Sequence, residues 1–297
     1  MNTVNAGDDK MVSYADLYAD LGLFVEEDVR MIDVDGTPLR VAIRPGTNKQ
    51  RIPLLILNGI GANLELLTPF IEKVNHEIQV IAFDVPGVGG SPAPRLPYRF
   101  SGLSKLIARM LDQLGHQQVD VLGVSWGGAL AQQFAHQYPR RCHRLILAGT
   151  ATGALMVPGS PTVMMKMMSP RRYLQPAYMT AIAPKLYGGT LRNDPETAAR
   201  HVSKIMSSGV RGYFWQMFAM WGWTSAHWIH RLTQPTLVLA GKDDPIVPMI
   251  NARFMASRIP DSILHVIDCG HLFLITRAEE VANVVDQFLL KKKYNYT

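Results

Sequence analysis

Three observations predict a doubly wound α/β fold with a mostly parallel central sheet, helices on both faces and a helical insertion. The first is a set of six short, nearly continuous apolar runs, LLILNG, IQVIAFDV, VDVLGV, RLILAG, TLVLAG and ILHVID, most of them running into Gly or Asp. Runs of this kind suit strands buried on both faces of a parallel sheet. The second is the helical texture between most of them, as in LSKLIARMLDQLG and GGALAQQFAHQY. Strand–helix alternation implies right-handed crossovers that place helices on either side of the sheet. The third is the failure of this alternation between Ala151 and about Ile229, where no strand-like run occurs and Pro and Gly are frequent.

Taken in order, residues 1–22 are polar and irregular and read as an N-terminal arm. Two alternating segments follow, FVEEDVRMIDV and PLRVAIR, joined at Asp35-Gly36. An Asp-Gly pair between alternating runs predicts a β-hairpin. Residues 23–150 then form the first part of the α/β core, 151–229 a helical cap insertion, and 230–297 the second part of the core. The insertion holds nine of the 15 methionines and four of the five tryptophans. It is expected over the C-terminal edge of the sheet, where ligands bind in open α/β folds.

Composition narrows the class. A chain of 297 residues, 47% hydrophobic and 18% charged, suits one large globular domain or a domain with an insertion. The net charge of +6 comes from scattered Lys and Arg, and the one dense run, Lys291-Lys292-Lys293, reads as a solvated tail. No arginine-and-aromatic patch of the kind that binds nucleic acid is present. Cys142 and Cys269 make no disulfide framework and lie in no metal-ligand spacing. The acidic start (Asp8, Asp9, Asp16, Asp20, Glu26, Glu27) is unlike a secretory signal. No apolar run reaches the ~18 residues that span a membrane. A cytoplasmic protein without integral membrane association is expected.

The chemistry centres on VDVLGVSWGGALAQQFA, which sets Ser125 between glycines in Gly123-Val124-Ser125-Trp126-Gly127. A nucleophile on a sharp strand-to-helix turn needs small neighbours so that its Oγ can project. The helix N-terminus behind it offers N–H groups to a developing oxyanion, that of Trp126 first. A serine hydroxyl needs a base. GKDDPIVP places Asp243 and Asp244 just past one apolar run, and DCGHLF places His271 just past the next. The order Ser…Asp…His assigns His271 as base and then acid, with an aspartate fixing its tautomer. Asp244, directly before Pro245, is the chosen carboxylate and Asp243 the alternative. Asp244 also suits a simple turn or helix cap, and His271 a packing role. FDVPGVGGSPAP, around Asp84, reads as structural, its aspartate tying the loop together.

These residues resemble the α/β-hydrolase family, and more narrowly the intracellular depolymerases of medium-chain-length poly(3-hydroxyalkanoate). The strings that carry the resemblance are NGIGANLELLTPF, AFDVPGVGGSP, VLGVSWGGALAQQFA, VPGSP, SPRRY, GYFWQMFAMWGWTS, LAGKDDPIVP and DCGHLFL. The resemblance implies an α/β-hydrolase fold, a Ser125–Asp244–His271 triad, no cofactor, and a hydrophobic polyester substrate held in storage granules. It also implies a second oxyanion donor after a His-Gly pair. Here Asn58 replaces the His, and the donor position maps to the Ile60 N–H. Such a polymer needs an apolar path, for which the stretches Met164-Met165, Met167-Met168 and Trp215–Trp228 are the candidates, Met165, Met168, Trp215 and Trp221 foremost; ordinary core packing is their other reading. The N-terminal arm is longer than the family leads one to expect. Two alternatives stand beside the depolymerase. One is a small-ester or lipid esterase, or a carbon–carbon bond hydrolase, on the same scaffold. The other is a catalytically idle protein that binds an apolar ligand or coats a granule.

Overall fold

In a computed structural model, residues 29–169, 171, 175–192 and 209–290 are described. The expected N-terminal arm lies outside them. Eight strands form one sheet: β1 (Val29–Val34), β2 (Thr37–Arg44), β3 (Leu54–Leu57), β4 (Val80–Phe83), β5 (Val119–Val124), β6 (Cys142–Ala148), β7 (Thr236–Gly241) and β8 (Ser262–Ile267). Their order across the sheet is β1-β2-β4-β3-β5-β6-β7-β8. β2 runs antiparallel to β1 and β4, and every other pairing is parallel. The hairpin turns where the sequence predicts it, with Asp35 and Gly36 both at positive φ (51° and 79°). Left-handed conformations at both central positions characterise the hairpin turn that matches strand twist.

The central strands are apolar at successive positions because alternate side chains enter different cores. Leu55, Leu57, Val119, Val121, Leu145, Leu147 and Val238 join one cluster. It is completed by helices α1 (Phe100–Gln113) and α2 (Trp126–Gln137). Leu54, Ile56, Leu122, Ile146, Leu237 and Leu239 join the cluster on the opposite face. Helices α3 to α6 are Pro161–Met168, Pro176–Tyr187, Val210–Met220 and Met249–Arg258, and α7 is Ala278–Leu290. Of these, α7 closes the second face through Val281, Ala282, Val285 and Phe288. β8 departs from the expectation of strands buried on both faces. It pairs only with β7 at the sheet edge, and Val266 is 40% exposed.

Between β6 and β7 the described residues form helices α3, α4 and α5 and no named strand, as the loss of alternation predicts. A single bridge, Gly153 to Thr224, ties the two ends of this segment together. A third apolar cluster joins the segment to the sheet's loops, with Val163, Met179, Leu186, Tyr187 and Tyr213 packed on Leu66, Ile246 and Val247. The fold thus brings the loops after β3, β5, β7 and β8 beneath α3 and α4.

Candidate active site

Ser125 is the residue between β5 and α2, with φ 53° and ψ −115°. Among the described residues only Asp35 shares a positive φ without being glycine. A conformation of this kind stores about 1–3 kcal/mol and persists only where its surroundings impose it. Here Ser125 N–H donates to the Ala148 carbonyl at 2.8 Å. The Ser125 carbonyl accepts from Gly128 N–H at 2.9 Å and from the Thr150 hydroxyl at 2.7 Å. The flanking glycines are required by contact: a Cβ at Gly127 would lie 2.0 Å from the Leu57 carbonyl oxygen, and one at Gly123 2.4 Å from that of Gly127. The tight G-x-S-x-G turn is therefore a packing solution as well as a way to project the hydroxyl.

The structure brings Asp244, rather than Asp243, to His271. Asp244 is buried, and its Oδ2 lies 2.6 Å from His271 Nδ1. Its Oδ1 accepts from Ile246 and Val247 N–H, both at 2.9 Å. The turn-forming role and the histidine-orienting role thus fall to different oxygens of one carboxylate. Asp243 points away, paired with Arg192 and accepting from Gly189 N–H at 3.1 Å. His271 is also buried, and its N–H donates to the Tyr187 carbonyl at 2.8 Å. The Tyr187 ring stacks near its imidazole, with centroids 6.3 Å apart.

Ser125 and His271 line one cavity together with Asn58, Gly59, Ile60, Met167, Tyr187 and the apolar residues Leu66, Leu67, Leu272, Leu274 and Ile275. The Asn58 carboxamide donates to the Asn63 carbonyl at 2.8 Å, which closes the Asn-Gly-Ile-Gly loop beside the serine. Ile60 lies in that loop, and Trp126 opens α2 immediately after Ser125. No Lys or Arg is among the described residues that line the cavity. Among the described residues no cluster of His, Cys, Asp or Glu has the arrangement of a metal site.

Of the four apolar candidates for substrate contact, Met165, Trp215 and Trp221 do not line the cavity. Met165 is 67% exposed and Trp221 73% exposed. The Trp215 indole N–H donates instead to the Pro94 carbonyl at 3.1 Å. Met168 ends α3, and its side chain lies outside the described residues. The reason is helical period: Val163, Met164 and Met167 share the inward face of α3, and Met165 falls on the other. Among the described residues, Met167 is the methionine that lines the cavity. Trp223 and Trp228 serve the core, Trp223 against Phe100 and Trp228 stacked on His136.

Two further residues at the site escape a reading of motifs. Tyr187 holds the His271 loop from α4, and Gln216 on α5 binds both the Gly61 N–H and the Trp126 indole. One local signal exists for the first: Tyr187 precedes Gly188-Gly189, which sits directly against Gly270. A Cβ at Gly270 would lie 2.1 Å from the Tyr187 carbonyl oxygen, and one at Gly189 2.0 Å from the Gly270 nitrogen.

The α/β-hydrolase fold model matches residues 52–278, and the chain belongs to that family. Within it, the chain is 61% identical over 264 residues to the poly(3-hydroxyalkanoate) depolymerase of Ectopseudomonas oleovorans, covering 89% of this chain and 93% of the relative. It is 32% identical over 226 residues to the 2-hydroxymuconate semialdehyde hydrolase of Pseudomonas putida, covering 71% and 76% respectively. The enol-lactonase of Burkholderia xenovorans LB400 superposes with a TM-score of 0.76 at 23% identity, over 88% of this chain and 100% of that one, a likeness of fold.

Proposed function

We propose that this protein is a serine ester hydrolase that cleaves medium-chain-length poly(3-hydroxyalkanoate) through an acyl-enzyme on Ser125. The observation that carries the reaction class is the buried Asp244–His271 pair opening onto the same apolar cavity as a serine held at positive φ. The substrate class rests on the 61% identical depolymerase and on the cavity lining. A polyester with alkyl side chains presents ester carbonyls in apolar surroundings, which Leu66, Leu272, Leu274, Ile275 and Met167 match. The hydrolase of 2-hydroxymuconate semialdehyde is named for a carboxylate. Among the described residues that line the cavity there is no lysine or arginine to pair with one, which favours the uncharged ester.

In this reading Asp244 accepts the Nδ1–H of His271, leaving Nε2 to serve Ser125. Ser125 Oγ attacks the ester carbonyl carbon while His271 takes its proton. The tetrahedral oxyanion is held by the N–H groups of Trp126 and Ile60. Collapse breaks the ester C–O bond, and His271 returns the proton to the departing alkoxide, releasing the hydroxyl end of the polymer. Water, deprotonated by His271, then cleaves the acyl-enzyme to a 3-hydroxy acid or oligomer. No cofactor takes part. The segment 151–229 acts as a cap that supplies one wall of the site and excludes water. The protein works at the surface of intracellular polyester granules. No described helix is long and apolar enough to cross a membrane.

The test offers purified protein an amorphous medium-chain polyester suspension, a short p-nitrophenyl ester and a ring-cleavage semialdehyde. Release of 3-hydroxy acids from the suspension supports the reading. Turnover of the semialdehyde alone overturns the reaction class, and turnover of short esters with an untouched suspension overturns the polymer.

A further inference from the structure

Gln216 lies in the middle of α5 and is fully buried. Its side-chain Oε1 accepts from Gly61 N–H at 2.8 Å, and its main-chain carbonyl accepts from the Trp126 indole N–H at 2.9 Å. One residue of the insertion thus bonds to both chain segments that carry the oxyanion donors in the reading above, the loop after β3 and the start of α2. The carboxamide orientation follows from the Gly61 contact, and it leaves Nε2 buried without a hydrogen-bond partner among the described residues. An unsatisfied buried donor is unfavourable, so an apolar side chain would sit there more easily unless the Oε1 acceptor is needed.

The helix that carries Gln216 is itself anchored. Gly212 at its start packs so closely on Gly87 that a Cβ would lie 1.7 Å from the Gly87 carbonyl oxygen. Past its middle, Arg99 donates to the carbonyls of Phe218 at 3.0 Å and Trp221 at 2.6 Å. The Tyr213 hydroxyl donates to the Met167 carbonyl at 2.8 Å, linking α5 to α3. These contacts fix where Gln216 stands relative to the sheet.

We propose that Gln216 is a positioning residue for ester hydrolysis, holding the Asn58–Gly61 loop and the Trp126 segment at the separation that an oxyanion requires. The insertion is then a structural part of the oxyanion hole, in addition to a wall of the cavity. Gln216 is not among the residues lining the cavity and acts through Gly61 and Trp126. This inference rests on the serine-hydrolase reading.

The test compares wild type with Gln216→Met, which keeps volume and removes the acceptor, and Gln216→Glu, which keeps an acceptor oxygen for Gly61 N–H. Full-length proteins are assayed on p-nitrophenyl octanoate, with an alkylboronic acid as the inhibitor whose tetrahedral serine adduct imitates the transition state. Gln216→Met is expected to lower kcat by on the order of 10- to 100-fold, with KM within about twofold. Its boronic acid inhibition constant rises by the same factor as kcat falls. Gln216→Glu recovers most of both. Trp126→Phe, which removes the indole donor to the Gln216 carbonyl, shows a smaller change in the same direction. Wild-type kcat in Gln216→Met, or equal impairment in the Met and Glu variants, overturns the inference. Ester hydrolysis that survives Ser125→Ala refutes the serine-hydrolase reading instead, and the two failures are told apart by that one control.

Discussion

Two buried aspartates, Asp84 and Asp244, stand just past the ends of β4 and β7, and their surroundings put them to different uses. Asp84 is surrounded by fixed donors. Its Oδ1 accepts from Leu64 N–H at 2.8 Å, and its Oδ2 accepts from Gly90 N–H at 2.9 Å and from Arg40 at 3.2 Å. Its own carbonyl accepts from the Ser91 hydroxyl, and the same hydroxyl accepts from Arg40 N–H. Of its side-chain partners, Arg40 goes on to pair with the buried Glu65 at 2.5 Å and Ser91 turns back to the Arg40 main chain, and neither these nor Glu65 line the cavity. Asp244 commits one oxygen to a local turn and the other to an imidazole that has a second nitrogen to use. A buried carboxylate leads to chemistry when its partner can pass the interaction on to a cavity. Asp84 ties a loop together, as its motif suggests, and in the proposed reading Asp244 acts through His271 on Ser125.

This contrast predicts opposite mutational signatures. Asp244→Asn is expected to lower kcat by about 10³- to 10⁴-fold, because the histidine tautomer is no longer fixed, while the melting temperature stays near wild type. Steady-state kinetics beside calorimetry reads both. Asp84→Ala is expected to reverse the pattern. It leaves the Leu64 and Gly90 N–H groups without their acceptor, removes one of the two carboxylates paired with Arg40 and destabilises by about 3–5 kcal/mol, with kcat of the folded protein preserved. Chemical denaturation measures the first and active-site-normalised kinetics the second. If Asp84→Ala loses kcat without losing stability, the division between the two aspartates is broken.

A pH dependence sharpens the comparison. Burial pushes the Asp84 carboxyl up from 3.8 to about 6, against the lowering effect of Gly90 N–H and Arg40. Between those values the native protein holds a proton that the unfolded chain has released. Its contribution to stability is therefore complete below about pH 3.8 and is lost as pH rises toward 6, by up to about 3 kcal/mol. Denaturation curves of wild type and Asp84→Asn across this window should converge or diverge by that amount. A constant difference contradicts the assignment. The smallest effect is expected at Asp243→Asn, which breaks an exposed pair with Arg192. It should change stability by no more than about 1 kcal/mol and leave kcat near wild type. A collapse of kcat there would transfer the role of Asp244 to its neighbour.

The parts of the molecule legible in the sequence are those governed by short-range rules. Alternating and continuous apolar runs marked the strands, Asp35-Gly36 marked the hairpin, and Gly-x-Ser-x-Gly marked the strand-to-helix turn, because each depends on residues within a few positions. The choice of Asp244 over Asp243 was also local, since the Asp-Pro turn directs one carboxylate inward. β8 was legible as a strand, but its edge position was not, because that depends on which strand lies beside it. The insertion was legible only as helical. Composition points to Met165 where helical phase brings Met167 inward, and size points to Trp215 and Trp221 although the Trp215 indole N–H is bound to Pro94 and Trp221 is largely exposed. Tyr187 and Gln216 gave no motif at all. Their contacts with His271, Gly61 and Trp126 bridge 84 to 155 positions of sequence and exist only once the insertion packs on the sheet loops.

If polyester cleavage runs through Ser125, activity must follow the titration of that serine. Purified protein is treated with increasing amounts of a fluorophosphonate. The fraction of Ser125 modified is read by peptide mass spectrometry, and each sample is then assayed for clearing of an amorphous medium-chain polyester suspension. The account predicts clearing that falls in proportion to Ser125 modification and reaches zero at full occupancy. It further predicts no labelling at that peptide in Ser125→Ala. Clearing that persists with Ser125 fully modified contradicts it.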